Sequence, residues 1–216
     1  MKFACAISLV LMCGTAAHAQ NYAGCSKAQR GSADAAIRNA KALALSSSVN
    51  IGNTPEFNRW FGKYSPASAE QVRANFKAIF TALRSGRVTV ACDPVSPDGC
   101  ERGTYAWVYD DEPYLVHLCP PFFDLPTMAQ LNPNSAASEN GTREGTIIHE
   151  VSHFRIVART DDNCYSREDC SEMALGDVRA AVENADSYQY FAEDVAFYGR
   201  DATVVGKPPR VIPQNR

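Results

Sequence analysis

The chain has little histidine and lacks the sequence features of several protein classes. Only 4 of its 216 residues are histidine, so a metal site built on imidazole has few candidate ligands. No Cys-x-x-Cys pair occurs, which argues against a thiolate zinc knuckle. The formal net charge is -3 with both signs interspersed, and no apolar run beyond the N-terminus could span a bilayer. We therefore expect no nucleic-acid partner and no membrane association.

The N-terminus has the pattern of a secretory signal peptide. Lys2 provides a positive start, residues 3–12 are apolar but too short to cross a bilayer, and a small-x-small cleavage pattern ends at Ala19. We expect a secreted, extracellular protein that begins near Gln20 and is a monomer with one core domain. The predicted parts are a signal peptide at 1–19, a domain at 20–206 and a flexible tail at 207–216.

The cysteines agree with export. Cys5 and Cys13 fall in the predicted signal peptide, and an even set of six remains, which in an exported chain indicates disulfides. Spacing alone does not choose among their pairings, although Cys164 and Cys170 are near enough to close a small loop. The remaining cysteines are Cys25, Cys92, Cys100, Cys119, Cys164 and Cys170.

Apolar periodicity predicts helices, then strands, then helices again, without repeats. One helix is expected over residues 26–46, ending in the serine run, and a second one through Phe76 and Ile79. Ser68 and Gln71 have the spacing of a capping box at the start of the second helix. Period-two patterning predicts three antiparallel strands, in "RVTVAC", "TYAWVY" and "YLVHLC". A Pro- and Asn-rich loop over 120–141 should precede further helix, so the fold class is α+β and mostly helical.

The segment "GTIIHEVSHF" contains His149, Glu150 and His153 in the order His-Glu-x-x-His. Residues four apart lie on one face of a helix, so both imidazoles could bind one metal ion while Glu150 reaches a water on that metal. A catalytic zinc site needs a third protein ligand. The motif therefore predicts a zinc-hydrolase helix whose third ligand must be found elsewhere.

The third ligand is not settled by spacing. The extended zincin motif fails because Ile156 and Arg159 stand where glycine and histidine are required. His117 lies on a predicted strand, where a structural role is favoured. The other candidates are the carboxylates Asp161, Asp162, Glu172 and Glu183. Asp162, in a turn-like segment after the motif helix, is only modestly ahead of the rest.

The segment "HEVSHF" followed by "RTDDNCY" resembles the deuterolysin or aspzincin metalloendopeptidases, in which a Gly-Thr-x-Asp segment supplies an Asp ligand. Further segments in the same order resemble the peptidyl-Lys metalloendopeptidase branch, and they cover most of residues 22–191: "YAGCS", "RWFGKY", "TYAWVY", "HLC" and "NADSYQYF". The resemblance implies a zincin-like fold, one Zn2+ per chain and cleavage of protein or peptide substrates. It selects Asp162 as the third ligand.

The resemblance also implies roles for other residues. Glu150 would be the catalytic base, Tyr165 would stabilise the tetrahedral oxygen, and Asp186 and Gln189 would line a pocket for lysine on the C-terminal side of the cut bond. The disulfides expected with it are Cys25 with Cys92, Cys100 with Cys119, and Cys164 with Cys170. A non-catalytic secreted binding protein that keeps this fold and a structural zinc is the alternative, but such a protein has no need of Glu150.

Three departures from the family pattern bear on these roles. Arg159 replaces the glycine of the ligand segment, so its backbone must avoid a positive φ or bear the strain. Gln189 replaces an acidic residue of the peptidyl-Lys branch, so we expect a looser preference for lysine. The pair Cys164 and Cys170 is an addition that could fix the loop carrying Tyr165.

Overall fold

The computed structural model describes the backbone of residues 22–131 and 138–202, with side chains as far as residue 198. The predicted signal peptide and the predicted tail lie outside these residues, as do the domain limits at 20 and 206. Among the described helices, none combines the length and apolar character needed to cross a membrane.

Helices form most of the described structure, and they separate into a group before the sheet and a group after it. The helices are α1 (Lys27–Val49), α2 (Pro55–Phe61), α3 (Pro66–Arg84), α4 (Arg143–His153), α5 (Arg167–Gly176), α6 (Val178–Val182) and α7 (Ala185–Ala202). A short 3-10 helix, Pro120–Asp124, lies in the segment predicted as a loop. The mostly helical α+β class is confirmed.

Helix α1 begins where predicted and ends later. Ser26 caps it, and Gln29 reaches back to the Ser26 N–H in a capping box. The serine run does not stop the helix, because the hydroxyl groups of Ser47 and Ser48 donate to the carbonyls of Leu43 and Leu45. These side chains are buried with their polar atoms satisfied, so the helix continues to Val49.

The predicted capping box of the second helix was wrong. Ser65 is the N-cap of α3, and its reciprocal partner is Ser68 rather than Gln71. Pro66 occupies the first helical position, where a residue without an N–H fits well because that donor would have no partner within the helix. Gln71 instead donates to Asn75 one turn later.

The sheet is mixed, and the expectation of purely antiparallel strands was wrong. Its strands are β1 (Tyr22–Ala23), β2 (Thr89–Cys92), β3 (Ala106–Trp107) and β4 (Leu115–Leu118), in the order β1-β2-β4-β3. Within the described sheet, only β3 and β4 pair antiparallel, across the turn near Asp110, whereas β2 pairs parallel with both β1 and β4. The hairpin returns β4, not β3, to the side of β2, which makes that pairing parallel.

The core lies where α1, α3, α4 and α7 pack together. Fully buried aromatic rings from α2, α3 and α7 meet there, and their centroids are 5.1 to 6.4 Å apart. These rings belong to Phe57, Phe61, Phe76, Tyr188 and Phe191. The aromatic cluster fixes α7 against the N-terminal helices and thereby positions the helix that faces α4.

All three expected disulfides are present. Cys25 is bonded to Cys92, Cys100 to Cys119, and Cys164 to Cys170. The first joins the start of α1 to the end of β2, and the second joins the approach to β3 to the end of β4. The third closes the loop that carries Tyr165, and it joins that loop to α5.

Candidate active site

Helix α4 carries the His-Glu-x-x-His motif along one side of a cleft of about 1120 Å³. Thr142 caps the helix by accepting from the Gly145 N–H at 2.9 Å. Ile147, Ile148 and Val151 are fully buried on its core side. With that face fixed in the core, the motif side chains are presented to the cleft, as the sequence predicts.

Both motif imidazoles are held by their Nδ1 atoms. His149 Nδ1 lies 2.7 Å from Asp186 Oδ1, and His153 Nδ1 lies 2.8 Å from the Thr160 carbonyl oxygen. A carbonyl oxygen only accepts, so the His153 Nδ1–H is the donor, and a carboxylate favours the same tautomer in His149. With Nδ1 as the donor, Nε2 is the nitrogen that carries the lone pair whenever the ring is neutral, so Nε2 is the atom that could bind a metal ion.

Asp162 lies against the Nε2 atoms of both imidazoles. Its Oδ1 is 3.2 Å from His149 Nε2 and 3.4 Å from His153 Nε2. Burial raises the pKa of Asp162, but hydrogen bonds from the two histidines outweigh burial and hold that pKa well below its usual range. Burial likewise opposes charge on His149, yet its bonds to Asp162 and Asp186 raise the His149 pKa above the ordinary value. The three side chains therefore converge as an anionic carboxylate and two imidazoles.

Main-chain hydrogen bonds hold the segment that carries Asp162. Asp161 forms a parallel bridge with Asn184, with its N–H donating to the Glu183 carbonyl at 2.7 Å and its own carbonyl accepting from Ala185 at 3.0 Å. The Asn184 side-chain oxygen accepts from the N–H groups of Asn163 and Cys164. The ligand segment is thus attached to the residues just before α7.

Glu150, predicted from the motif, and Tyr165, implied by the family resemblance, complete the expected set. Glu150 is buried beside the two histidines, and burial raises the pKa of its carboxyl. Tyr165 lines the same cleft with 61% of its surface exposed. Burial of its hydroxyl, together with the nearby Asp162 carboxylate, raises the Tyr165 pKa to about 12, so the phenol keeps its proton.

The two residues expected to bind substrate differ in their surroundings. Asp186 and Gln189 both line the cleft from α7, and both are buried. One oxygen of Asp186 is occupied by His149, a partnership that the sequence did not predict. Gln189 Nε2 points to Glu193 Oε1 at 3.5 Å. Gln189 is therefore a neutral group placed next to a buried carboxylate.

Of the other candidates for the third ligand, Asp161 lines the cleft but points no ligand atom that forms a described contact with the histidines, whereas His117, Glu172 and Glu183 are not among the cleft-lining residues that the structure describes. His117 Nδ1 contacts Asp93 at 2.8 Å, and its ring stacks on Trp107 with centroids 3.8 Å apart. Glu183 pairs with Arg179 on the surface, and Glu172 is exposed. His117 thus has the structural surroundings that its strand position favoured.

A buried ionic cluster behind the cleft was missed by the sequence reasoning. Glu193 accepts from the N–H and hydroxyl of Thr142, each at 2.8 Å, and from Arg167 at 2.6 Å, while Arg167 also binds Asp194 at 2.8 Å. A Cβ at position 145 would collide with Glu193 Oε1, so glycine permits this close approach of α4 to α7. The available signal was two adjacent acids inside the apolar run "YFAEDVAFY".

Comparison with known proteins agrees with this geometry. The aspzincin family model, described as lysine-specific metallo-endopeptidase, matches residues 46–193, a range that includes the motif, Asp162 and Gln189. The chain belongs to the aspzincin family. The resemblance on which Asp162 was selected is thereby confirmed at the level of the family.

Relatives and a solved structure support the same aspzincin assignment. An extracellular protease of Aeromonas hydrophila is 34% identical over 79% of this chain, and a peptidyl-Lys metalloendopeptidase of Armillaria mellea is 29% identical over 81%. The chain spans about half the length of both, 46% of each. A zinc peptidase from Grifola frondosa has the same fold, with a TM-score of 0.68 at 25% identity over 80% of this chain and 98% of its own.

Proposed function

We propose that the chain is a secreted zinc-dependent endopeptidase that binds one Zn2+ through His149, His153 and Asp162. Ligand atoms of a tetrahedral zinc site, at bond lengths of about 2.0 to 2.2 Å, lie about 3.3 to 3.5 Å apart. The separations of 3.2 and 3.4 Å between Asp162 Oδ1 and the two Nε2 atoms agree with that spacing. This agreement, with both Nδ1 atoms already engaged, is the observation that carries the proposal.

The donor set suits catalysis better than a purely structural site. Two neutral imidazoles and one carboxylate leave a fourth coordination position for water, and Glu150 lies beside the histidines. When bound, zinc lowers the pKa of a coordinated water to roughly 7 and polarises the scissile carbonyl. Secretion is supported by the signal-like N-terminus and by the name of the Aeromonas relative.

Two protein side chains transfer the proton and stabilise the developing negative charge. Glu150 accepts a proton from the attacking water and passes it to the leaving amine nitrogen. Its raised pKa favours this exchange, because a carboxyl with an ordinary pKa holds a proton too weakly to deliver it near neutral pH. The Tyr165 hydroxyl, which stays protonated, donates a hydrogen bond to the tetrahedral oxygen.

The edge strand offers a place for the peptide backbone. Within the described sheet, β3 pairs on one side only, with β4, and its residues Ala106 and Trp107 line the cleft. An extended peptide can add to such an edge through main-chain hydrogen bonds, which are independent of side-chain identity. This mode fits an endopeptidase, which must bind chain on both sides of the cut bond.

A preference for lysine on the C-terminal side of the cut bond is the finer part of the proposal. The description of the family model and the name of the Armillaria relative support it. Gln189 supplies an acceptor without charge, and Asp186 shares its carboxylate with His149, so we propose a weaker preference than two unshared carboxylates would give.

The decisive experiment compares wild type with Glu150→Gln. Wild type should hydrolyse casein, lose activity with a chelator and regain it with zinc. Glu150→Gln should bind zinc with unchanged stoichiometry, one ion per chain, while kcat falls by about 10² to 10⁴, because an amide cannot accept the proton. Metal analysis and a casein assay measure both. Substantial turnover by this variant would remove Glu150 from the mechanism.

Cleavage-site mapping tests the lysine preference separately. A denatured protein digested by the wild type should give peptides enriched in lysine at their N-terminus, with a minority of other residues. Mass spectrometry of the products measures this enrichment. If lysine is not enriched there, the preference is wrong while zinc-dependent hydrolysis remains supported.

A further inference from the structure

Charges of both signs line the cleft, and they include the exposed carboxylates of Glu139 and Asp161. The carboxylates nearest the motif, Asp162 and Asp186, are both hydrogen-bonded to motif imidazoles. Arginines line the same cleft from the segments that flank β3 and follow α4: Arg102, Arg155 and Arg159. A substrate therefore meets positive side chains as well as the metal ligands.

Only one of these arginines is neutralised within the described residues. Arg155 pairs with Asp110, with 2.6 Å between Nε and the carboxylate oxygen. Arg102 and Arg159 are exposed, and no carboxylate of the described residues lies within ion-pair distance of either guanidinium. Of the two, Arg159 is nearer in sequence to the proposed metal ligands. It directly precedes Thr160, whose carbonyl holds His153, and Asp162 follows Thr160 two residues later.

The backbone of Arg159 is in a conformation that glycine adopts more easily. Its φ is 54°, in the left-handed region, where a side chain costs roughly 1 to 2 kcal/mol. Its guanidinium forms no hydrogen bond with any described residue that would offset this strain. No described polar contact of this side chain explains an arginine at the strained position, and strained residues at a cleft are frequently functional.

We infer that Arg159 binds a carboxylate of the substrate, so that the protein favours peptides with an acidic group near the cut bond. A guanidinium presents paired N–H donors that match the two oxygens of a carboxylate. Arg102, on the same cleft, adds positive potential at longer range. The inference rests on the proposed function only in taking the cleft as the peptide site.

The test uses C-terminally amidated peptides that differ by Glu or Gln at one position within three residues of the cut bond. Binding is measured by fluorescence anisotropy to zinc-loaded Glu150→Gln protein, and kcat/KM is measured with wild type. At one or more positions, Glu should be favoured over Gln by about threefold to tenfold in Kd. A free C-terminal acid, compared with its amide, shows whether the chain terminus serves as the carboxylate instead.

Variants of Arg159 separate charge from backbone strain. Arg159→Gln and Arg159→Gly should both reduce the Glu to Gln ratio to about one, although Arg159→Gly relieves the strained φ. Arg159→Lys should keep part of the preference, because lysine retains the positive charge but lacks the paired N–H donors of the guanidinium. The readout in all three is the Glu to Gln ratio within one variant, since the absolute affinity can also change at a residue next to Thr160, which holds His153.

Arg179→Gln is the matched control, because it removes one positive charge from an exposed side chain outside the cleft. The inference is overturned if wild-type binding shows no Glu preference at any position and no preference for a free C-terminal acid. It is also overturned if Arg179→Gln lowers the ratio as much as Arg159→Gln does. A protein that binds Glu peptides through Arg159 but hydrolyses nothing would contradict the proposed function alone.

Discussion

The sequence and the structure suggest different roles for Asp186. The sequence places it in a lysine pocket by resemblance, whereas the fold directs one of its oxygens to His149 Nδ1 at 2.7 Å. A carboxylate in that position fixes the imidazole ring and increases its basicity as a metal ligand. The two assignments differ in what they predict for zinc.

Replacing Asp186 should weaken zinc binding. Asp186→Asn can still accept from His149 but has no charge, so zinc affinity should fall about tenfold, and Asp186→Ala should lower it about 100-fold. Competition with a fluorescent chelator measures the affinity. Asp161→Ala, which alters an exposed neighbour of the ligand, should change it little. Unchanged zinc affinity in Asp186→Ala, with loss of lysine substrates only, would mean that Asp186 acts solely on substrate.

Gln189→Glu should sharpen the preference for lysine and also destabilise the fold. The new carboxylate would lie near Glu193, since the present contact from Gln189 Nε2 is 3.5 Å, and burial already raises the Glu193 pKa. Two buried like charges disfavour each other, so the free energy of unfolding should fall by roughly 1 to 3 kcal/mol at neutral pH. The loss should shrink as pH falls, because the pair then gains a proton.

Urea unfolding at two pH values measures this effect. Gln189→Met is the control, because it removes the donor to Glu193 without adding charge. The explanation from like charges fails if Gln189→Met is as destabilised as Gln189→Glu, or if the loss is the same at both pH values.

The residues of the motif could be predicted because helical spacing alone brings them together. Two histidines four apart share a helix face whatever surrounds them. Asp162 was not fixed by spacing and needed the family pattern, and the partnership of Asp186 with His149 spans 37 positions in the chain. No local pattern encodes that contact, because it depends on how α7 packs against α4.

At the scale of elements, the segment between α4 and α5 carries both a proposed metal ligand and the proposed hydrogen-bond donor to the tetrahedral oxygen. It contains Thr160, Asp162 and Tyr165, and its C-terminal part is closed by the Cys164–Cys170 disulfide. Asp162 lies outside that ring and is held by the bridge to Asn184, whereas Tyr165 lies inside it. The two functions of the segment should therefore be separable.

The double variant Cys164→Ala/Cys170→Ala should lower kcat without releasing zinc. With the ring open, Tyr165 loses its fixed position, so kcat should approach that of Tyr165→Phe, down by about tenfold to 100-fold. Zinc affinity should stay within about threefold of wild type. Opening so short a ring should cost about 2 kcal/mol of unfolding free energy. A parallel loss of zinc and kcat would show instead that the disulfide also positions Asp162.

Strand direction shows a second limit of sequence reasoning at this scale. Alternation of apolar residues located all three predicted strands, because a half-buried strand has that period in either direction. It did not give the order β2-β4-β3, since the position of β4 between the other two depends on long-range packing. The antiparallel pairing of β3 with β4 agrees with the prediction, since these strands are consecutive in the chain.

For the molecule as a whole, the helical α+β fold could be predicted, but the packing between its two helical groups could not. Periodicity is local, and it located α1, α3 and α4 within a few residues, although the predicted capping residues of α3 were wrong. The ionic cluster of Arg167, Glu193 and Asp194 forms only when α5, α7 and the start of α4 come together. Buried charges of this kind require their partners, so their presence in sequence indicates a cluster without identifying its members.

The bridge between Asp161 and Asn184 has a consequence for how the protein takes up its metal. Because main-chain hydrogen bonds hold the ligand segment, and Asp186 and the Thr160 carbonyl hold the two rings, the entropy of ordering these groups is lost during folding. On the proposed ligand assignment, an arriving ion would exchange its hydration shell and displace the protons through which the two Nε2 atoms bond to Asp162. Metal uptake would in this respect be a preorganised association, distinct from the metal-driven folding of a zinc finger.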